Sequence, residues 1–439
     1  MERNTSTPVT YDALVIGGGP GGTSAATYLS RAGRKVLLLE KESFPRFHIG
    51  ESLLPYNTGI FEEMGVLPEL RAAGFVRKLG AQFVLASGSQ FTRFIFGNGK
   101  YTKYPEAIQV ERSVFDHILL KHARSVGADV REQWTVRGLK MEPDHVRVTA
   151  SDPQGVEHSF TTAFVVDASG RSNLTGNLEG IRIAHPSFKK VAVFGHFHGF
   201  TRDTGDRSGD ILIARLEDRW FWAIPISADK TSVGLVMDQS AFKGKEYGLE
   251  RLFNDWLATA PALSKRMENA RLVGEMRVAS DFSYHNKTLA TPRLLRVGDA
   301  AGFMDPVFSA GVYMAMFSGR LAAHTIDACL TAPGSSKTRL KDYEKRVFKA
   351  LKFYWRMVEN FYTTPFMEVF MRPRENYNLA SAVNAVLAGE LEGGWKLAWR
   401  MKLFFFIVRL QSKWTLVPRI QWHKKPDEPD GPDAKCPTP

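Results

Sequence analysis

Gly17, Gly19 and Gly22 stand in YDALVIGGGPGG, the stretch from Tyr11 to Gly22, between an apolar run and the helix-compatible Thr23 to Arg31. Each glycine has a physical task in holding a dinucleotide. Gly17 allows a tight turn, Gly19 lets backbone approach a pyrophosphate, and Gly22 lets helix and strand pack closely. Pro20 belongs to the same cofactor-binding loop, and the free N–H groups at the start of the helix beyond it, with the positive end of the helix dipole, face phosphate oxygens. A second apolar run, Lys35 to Leu39, ends in Glu40. That carboxylate follows Gly22 at about the distance in sequence expected of a ribose-hydroxyl acceptor. Late in the chain, Gly298 and Asp299 close another apolar run, LLRV. An Asp at such a strand end accepts hydrogen bonds from ribityl hydroxyls, and the helix start beyond it faces a flavin carbonyl. An early loop for the ADP half and a late Gly-Asp for the flavin half together indicate FAD. A second glycine fingerprint for nicotinamide is missing.

These residues need elements to position them. With 439 residues the chain exceeds one simple core. Its 44% hydrophobic and 24% charged content is that of a globular protein. The expected fold is α/β. A Rossmann-like, three-layer FAD domain is assembled from separated segments (about 8–80, 105–175 and 285–335), with an inserted antiparallel-sheet substrate domain (about 80–105 and 180–285). Together they make a core over 1–335, followed by a helical extension at 336–425. The Pro/Asp-rich tail 426–439 is expected to be disordered. Within this frame Ser113 to Gly127 and Ala310 to Leu330 carry helical spacing, and FVVDASGR reads as a buried strand ending at Asp167. Only Cys329 and Cys436 are present, and no N-terminal signal is seen, so the expected compartment is the cytoplasm. No run of 18 apolar residues marks a transmembrane segment. The net charge of +12 favours acidic partners. No zinc spacing or RNA-binding motif is present, so neither a metal nor nucleic acid is expected.

Four segments carry a further resemblance. They are Phe44 to Pro55 (FPRFHIGESLLP), Lys78 within RKLGA, the WxWxIP of Trp220 to Pro225, and DPVFSAG from Asp305 to Gly311. With Asp167-Ala168-Ser169-Gly170 they resemble the flavin-dependent halogenases, within the FAD monooxygenase-like superfamily. The likeness covers about residues 10–325 and is most specific at WxWxIP. It implies that Lys78 is the catalytic lysine, acting on hypohalous acid as an ammonium donor or through a chloramine as a free amine. It further implies that Trp220 and Trp222, which share one face of a strand, wall substrate off from the flavin. Ser309, Ala310 and Gly311 open a helix whose exposed amides suit a halide. Arg46, Ser52 and Arg112 contact the cofactor in this reading, with Glu51 nearby.

One departure bears on substrate. Tryptophan-type relatives carry a glutamate immediately before the serine of this loop, and here that place is Phe308. The loop resembles instead the branch acting on phenols, pyrroles or carrier-tethered substrates. The expected function is therefore an FADH2-dependent halogenase. Reduced flavin from a separate reductase, with oxygen, converts chloride or bromide to hypohalous acid for an electron-rich aromatic ring, free or held on a carrier protein. A monooxygenase or a geranylgeranyl-reductase-like flavin enzyme is the alternative, and a flavoprotein without turnover is a third reading. The stretch Trp395 to Leu416 mixes basic and aromatic residues. It suits a helix packed over the active-site opening, a membrane interface, or a carrier-docking surface.

Overall fold

The computed structural model describes residues 10–242 and 244–422; the tail expected at 426–439 lies outside the described residues. The apolar run before the glycines forms the strand Thr10–Ile16, parallel to Val36–Glu40 on one side and to Glu157–Asp167 on the other. Leu294–Arg296 extends the sheet beyond Asp167, and Asp129–Glu132 extends it beyond Val36–Glu40, again in parallel. Such runs are apolar on both faces because both are covered. On one face lie the helices Pro20–Arg31, Arg112–Ser125 and Gly311–Thr331, in a core with Ala25, Leu119 and Met316. On the other face Val136, Val146 and Val148, from the antiparallel pair Thr135–Met141 and Val146–Ser151, pack against Leu14, Leu37 and Val165. The result is helix, parallel sheet and antiparallel layer, as the sequence led us to expect.

A second sheet follows the order Gly302–Phe303, Arg271–Asn286, Arg182–His198, Lys230–Asp238, Trp220–Pro225, Ile211–Arg215, Gly80–Leu85 and Phe91–Ile95. Its pairings are antiparallel except one: Ile211–Arg215 runs parallel to Gly80–Leu85, because the latter enters from a distant part of the chain rather than by a hairpin. Period-two alternation decides what each face carries. Trp220, Trp222 and Ile224 enter one core cluster, and Phe221 and Ala223 enter the cluster on the opposite face. The helices Ser336–Phe361, Thr364–Phe370, Leu379–Ala388 and Gly394–Gln411 then bring Phe361, Phe366, Phe370 and Phe404 into the tryptophan-bearing cluster.

Candidate active site

The two sheets enclose a cavity of about 650 Å3. Its lining includes Gly17, Gly19, Pro20 and Glu40, Trp220 and Trp222, and Asp299, Ser309, Ala310 and Gly311.

At the glycine end the backbone explains each residue. Gly17 has φ +102°, a region L side chains rarely adopt. A Cβ on Gly22 would meet the Gly17 carbonyl oxygen at 1.9 Å, so Gly22 serves the loop's closure and does not line the cavity. Gly19 has no close neighbour but Arg46, whose Nη2 would lie 3.8 Å from an added Cβ. That is the approach a pyrophosphate requires, and the helix beginning at Pro20 has no acidic residue in its first turn to oppose it. Glu40 is buried, and its two oxygens accept the Gly18 amide at 2.6 Å and the Glu42 amide at 2.8 Å. Each carboxylate oxygen has a further lone pair, so a ribose hydroxyl fits there as well.

Arg46 and Arg112 meet on a residue that motif reading did not single out. Asp116, fully buried, takes Arg112 Nε at 2.7 Å and Nη2 at 2.9 Å, and Arg46 Nη1 at 3.3 Å. Arg112 also donates to the Ile49 carbonyl at 2.7 Å. The only local signal was the i, i+4 spacing of Arg112 and Asp116 on one helix. Glu51, also buried, accepts from His196 Nε2 at 2.6 Å through Oε1, while its Oε2 has no partner and the residue lines the cavity. An orphaned carboxylate oxygen against the cavity is consistent with a cofactor supplying the missing hydrogen bond.

Lys78 sits elsewhere than a cavity wall. It is 1% exposed and is not among the lining residues; its Nζ donates to Ser52 Oγ and to the Leu53 carbonyl, both at 2.9 Å. Ser52 does line the cavity, so one hydroxyl separates the amine from it. The Phe96 ring lies 5.5 Å from Nζ. Burial pulls the lysine down from its ordinary value to about 7, and Asp210 only partly opposes this.

The tryptophan wall is fixed by hydrogen bonds. Trp222 Nε1 donates to Ser232 Oγ at 3.1 Å, and Trp220 Nε1 donates to the Tyr362 hydroxyl at 2.8 Å. Tyr362 in turn donates to Asp305 Oδ2 at 2.6 Å. Asp305 caps the short turn Pro306–Phe308, so the loop, the wall and the end of the helix Ser336–Phe361 are joined through one phenol. This link crosses from residue 220 to residue 362 and leaves no local sequence signal. Ser309 holds a left-handed φ of +55°, and its amide is taken by the Pro306 carbonyl at 2.9 Å. The helix then starts at Gly311, whose first amides lack a carbonyl one turn earlier. Phe308 is buried edge-on to Phe361, with ring centroids 5.6 Å apart. Asp167, by contrast, is spent internally on Ser169 and Thr175.

This arrangement defines an FAD-dependent oxidoreductase, and an FAD-binding domain model matches residues 10–360. The chain is 30% identical to a 1H-pyrrole-2-carbonyl-[peptidyl-carrier protein] chlorinase of Pseudomonas fluorescens, over 97% of this chain and 98% of that one. It is 33% identical to a tryptophan 2-halogenase of Chondromyces crocatus, over 77% of this chain but only 65% of that protein. The solved structure of the myxobacterial chondrochloren halogenase superposes with a TM-score of 0.76 at 36% identity, over 80% and 82% of the two chains. The chain belongs to the flavin-dependent halogenases. Its cofactor is FAD and its inorganic substrate a halide. Among the described residues no helix is long and apolar enough to cross a membrane.

Proposed function

We propose that this halogenase takes reduced FAD from a separate flavin reductase and halogenates an electron-rich pyrrole or phenol, with a carrier-tethered pyrrole as the leading substrate. The observation that carries the reading is the continuity of the cavity. One cavity is lined by the glycine loop, by Ala310 and Gly311, and by Trp220 and Trp222, and the chlorinase related over nearly the full length of both chains bears a carrier-tethered pyrrole in its name.

Bound reduced FAD supplies, with dioxygen, the oxidation of halide to hypohalous acid. The chain's own residues do the rest. Gly17, Gly19, Pro20, Glu40, Arg46 and Arg112 hold the ADP half, with Asp116 fixing both arginines, and Asp299 and Gly311 serve the flavin half. The Ala310 and Gly311 amides hold the halide, and Ser309 shapes their loop. Trp220 and Trp222 keep the organic ring from the flavin. Ser52 connects the cavity to Lys78, whose Nζ engages the oxidised halogen. As an ammonium it donates a proton to the oxygen of hypohalous acid while the ring takes the halogen and water leaves, and the proton then lost from the ring restores the ammonium. As a free amine it first takes the halogen with loss of water, then passes it to the ring. A value near 7 leaves both forms populated at neutral pH. Phe308 offers no carboxylate to remove a ring proton, which favours pyrroles and phenols over indole.

The test is an incubation with FAD, a flavin reductase, NADH, oxygen and bromide or chloride, offering pyrroles and phenols free and carrier-bound. Halogenated product, lost in Lys78→Ala, is the expected result. Hydroxylated product formed without regard to halide would overturn the reading.

A further inference from the structure

The helix Gly394–Gln411 buries one apolar face and turns outward a second face that mixes large rings with cations. Leu397, Met401, Phe404, Phe405 and Val408 are buried against the neighbouring helices. On the opposite side Trp395 is 73% and Phe406 54% exposed, and past the helix end Trp414, at 61%, and Leu416, at 44%, are exposed as well. Spacings of three and four place Trp395, Trp399, Lys402, Phe406, Arg409 and Lys413 along one outward stripe. A surface helix ordinarily gives its outward face to polar residues, so large exposed rings set among cations there call for a partner.

Charge says which phase. From 393 to 422 the chain carries Lys396, Arg400, Lys402, Arg409, Lys413 and Arg419 and no Asp or Glu. Large rings interleaved with cations, and no carboxylate, match an interface that is apolar inside and anionic outside. The other occupants fit less well. In a symmetric dimer each patch would meet its own copy, setting cation against cation. The tail 423–439 has no Leu, Ile, Val, Met, Phe, Tyr or Trp with which to cover exposed rings. A carrier protein delivering substrate needs the mouth of the cavity, and none of residues 394–416 lines that cavity.

We propose that this outward face docks the protein on an anionic phospholipid surface. The helix lies in the plane of the membrane interface. Trp395, Phe406, Trp414 and Leu416 enter the boundary of headgroups and acyl chains, and Lys402, Arg409 and Lys413 engage lipid phosphates. The surface is separate from the site described above, and the proposal stands or falls independently of the substrate assigned there.

The experiment is co-sedimentation of the full-length, FAD-loaded protein with phosphatidylcholine vesicles made with and without phosphatidylglycerol. Binding is expected only to the anionic vesicles, and it should weaken as salt is raised. The charge reversal Lys402→Glu with Arg409→Glu is expected to lower partitioning about tenfold or more, and Trp395→Ser with Phe406→Ser to lower it as well. Both pairs lie on the surface, and FAD absorbance and halide-dependent turnover of a free substrate should be unchanged in them. Protein remaining in the supernatant with anionic vesicles would overturn the proposal. So would vesicle binding undiminished in both variant pairs, which would put the contact on another surface. Self-association or carrier binding lost in the same variants, without any vesicle binding, would overturn it by assigning the face to a protein partner.

Discussion

Lys78 carries the sharpest consequence at the scale of single residues. An unfolded chain holds this proton up to the ordinary value of 10.5, whereas the buried amine releases it at about 7. Between the two the unfolded state binds more protons, so stability rises with pH over that interval, and the cost of burial is fully present below 7. The melting temperature of Lys78→Met relative to the parent is therefore expected to fall as pH rises from 7 to 10. A constant difference would mean that the amine titrates at its ordinary value. In the proposed function activity follows the same group. The pH profile of kcat/KM should bend near 7, rising with pH if the free amine takes the halogen and falling if the ammonium donates; a flat profile would remove Lys78 from the reacting atoms. Tyr362 makes a second, independent prediction. Tyr362→Phe leaves Trp220 Nε1 without its acceptor and Asp305 without this donor, each buried, at a cost of about 1–3 kcal/mol. Beyond lost stability, the Michaelis constant for halide should rise more than kcat falls, because Asp305 caps the turn ahead of Ser309. An unchanged halide constant would make Tyr362 purely structural.

At the scale of elements, what the sequence made legible was what local chain physics determines. The glycine loop follows from Gly17 and Gly22, whose demands for a left-handed turn and close packing are met within six positions. The parallel strands follow from short apolar runs ending in Glu40 and Asp167. Helices such as Arg112–Ser125 and Gly311–Thr331 announce themselves by spacing. What could not be read were contacts between distant segments: Asp116 joining Arg46 to Arg112, the phenol of Tyr362 joining Trp220 to Asp305, and the retreat of Lys78 behind Ser52. The single parallel pair in the second sheet escaped for the same reason, since pairing partners are chosen by the tertiary fold. The loop gives a direct test. Gly22→Ala places a methyl against the Gly17 carbonyl, and its expected effects are a loss of about 1–3 kcal/mol and purified protein with little FAD. Full flavin content in that variant would show that the loop yields where the packing says it cannot.

At the scale of the whole molecule, the proposed supply of reduced flavin by a separate reductase raises the question of how the cofactor reaches its cavity. If reduced flavin simply diffuses in, any reductase should serve, and chemically reduced FAD with oxygen should support turnover without a reductase; dependence on one particular reductase would point to a dedicated contact. The enclosure has another consequence. In the function proposed above, the wall between cofactor and substrate is two indoles, themselves electron-rich rings that a halogenating agent attacks. Whenever oxidant forms and no substrate is there to receive it, Trp220 and Trp222 are electron-rich rings lining that space. The working life of this protein is then counted in idle cycles rather than in hours, and halogen found on its own tryptophans would be the record of each reaction that went unclaimed.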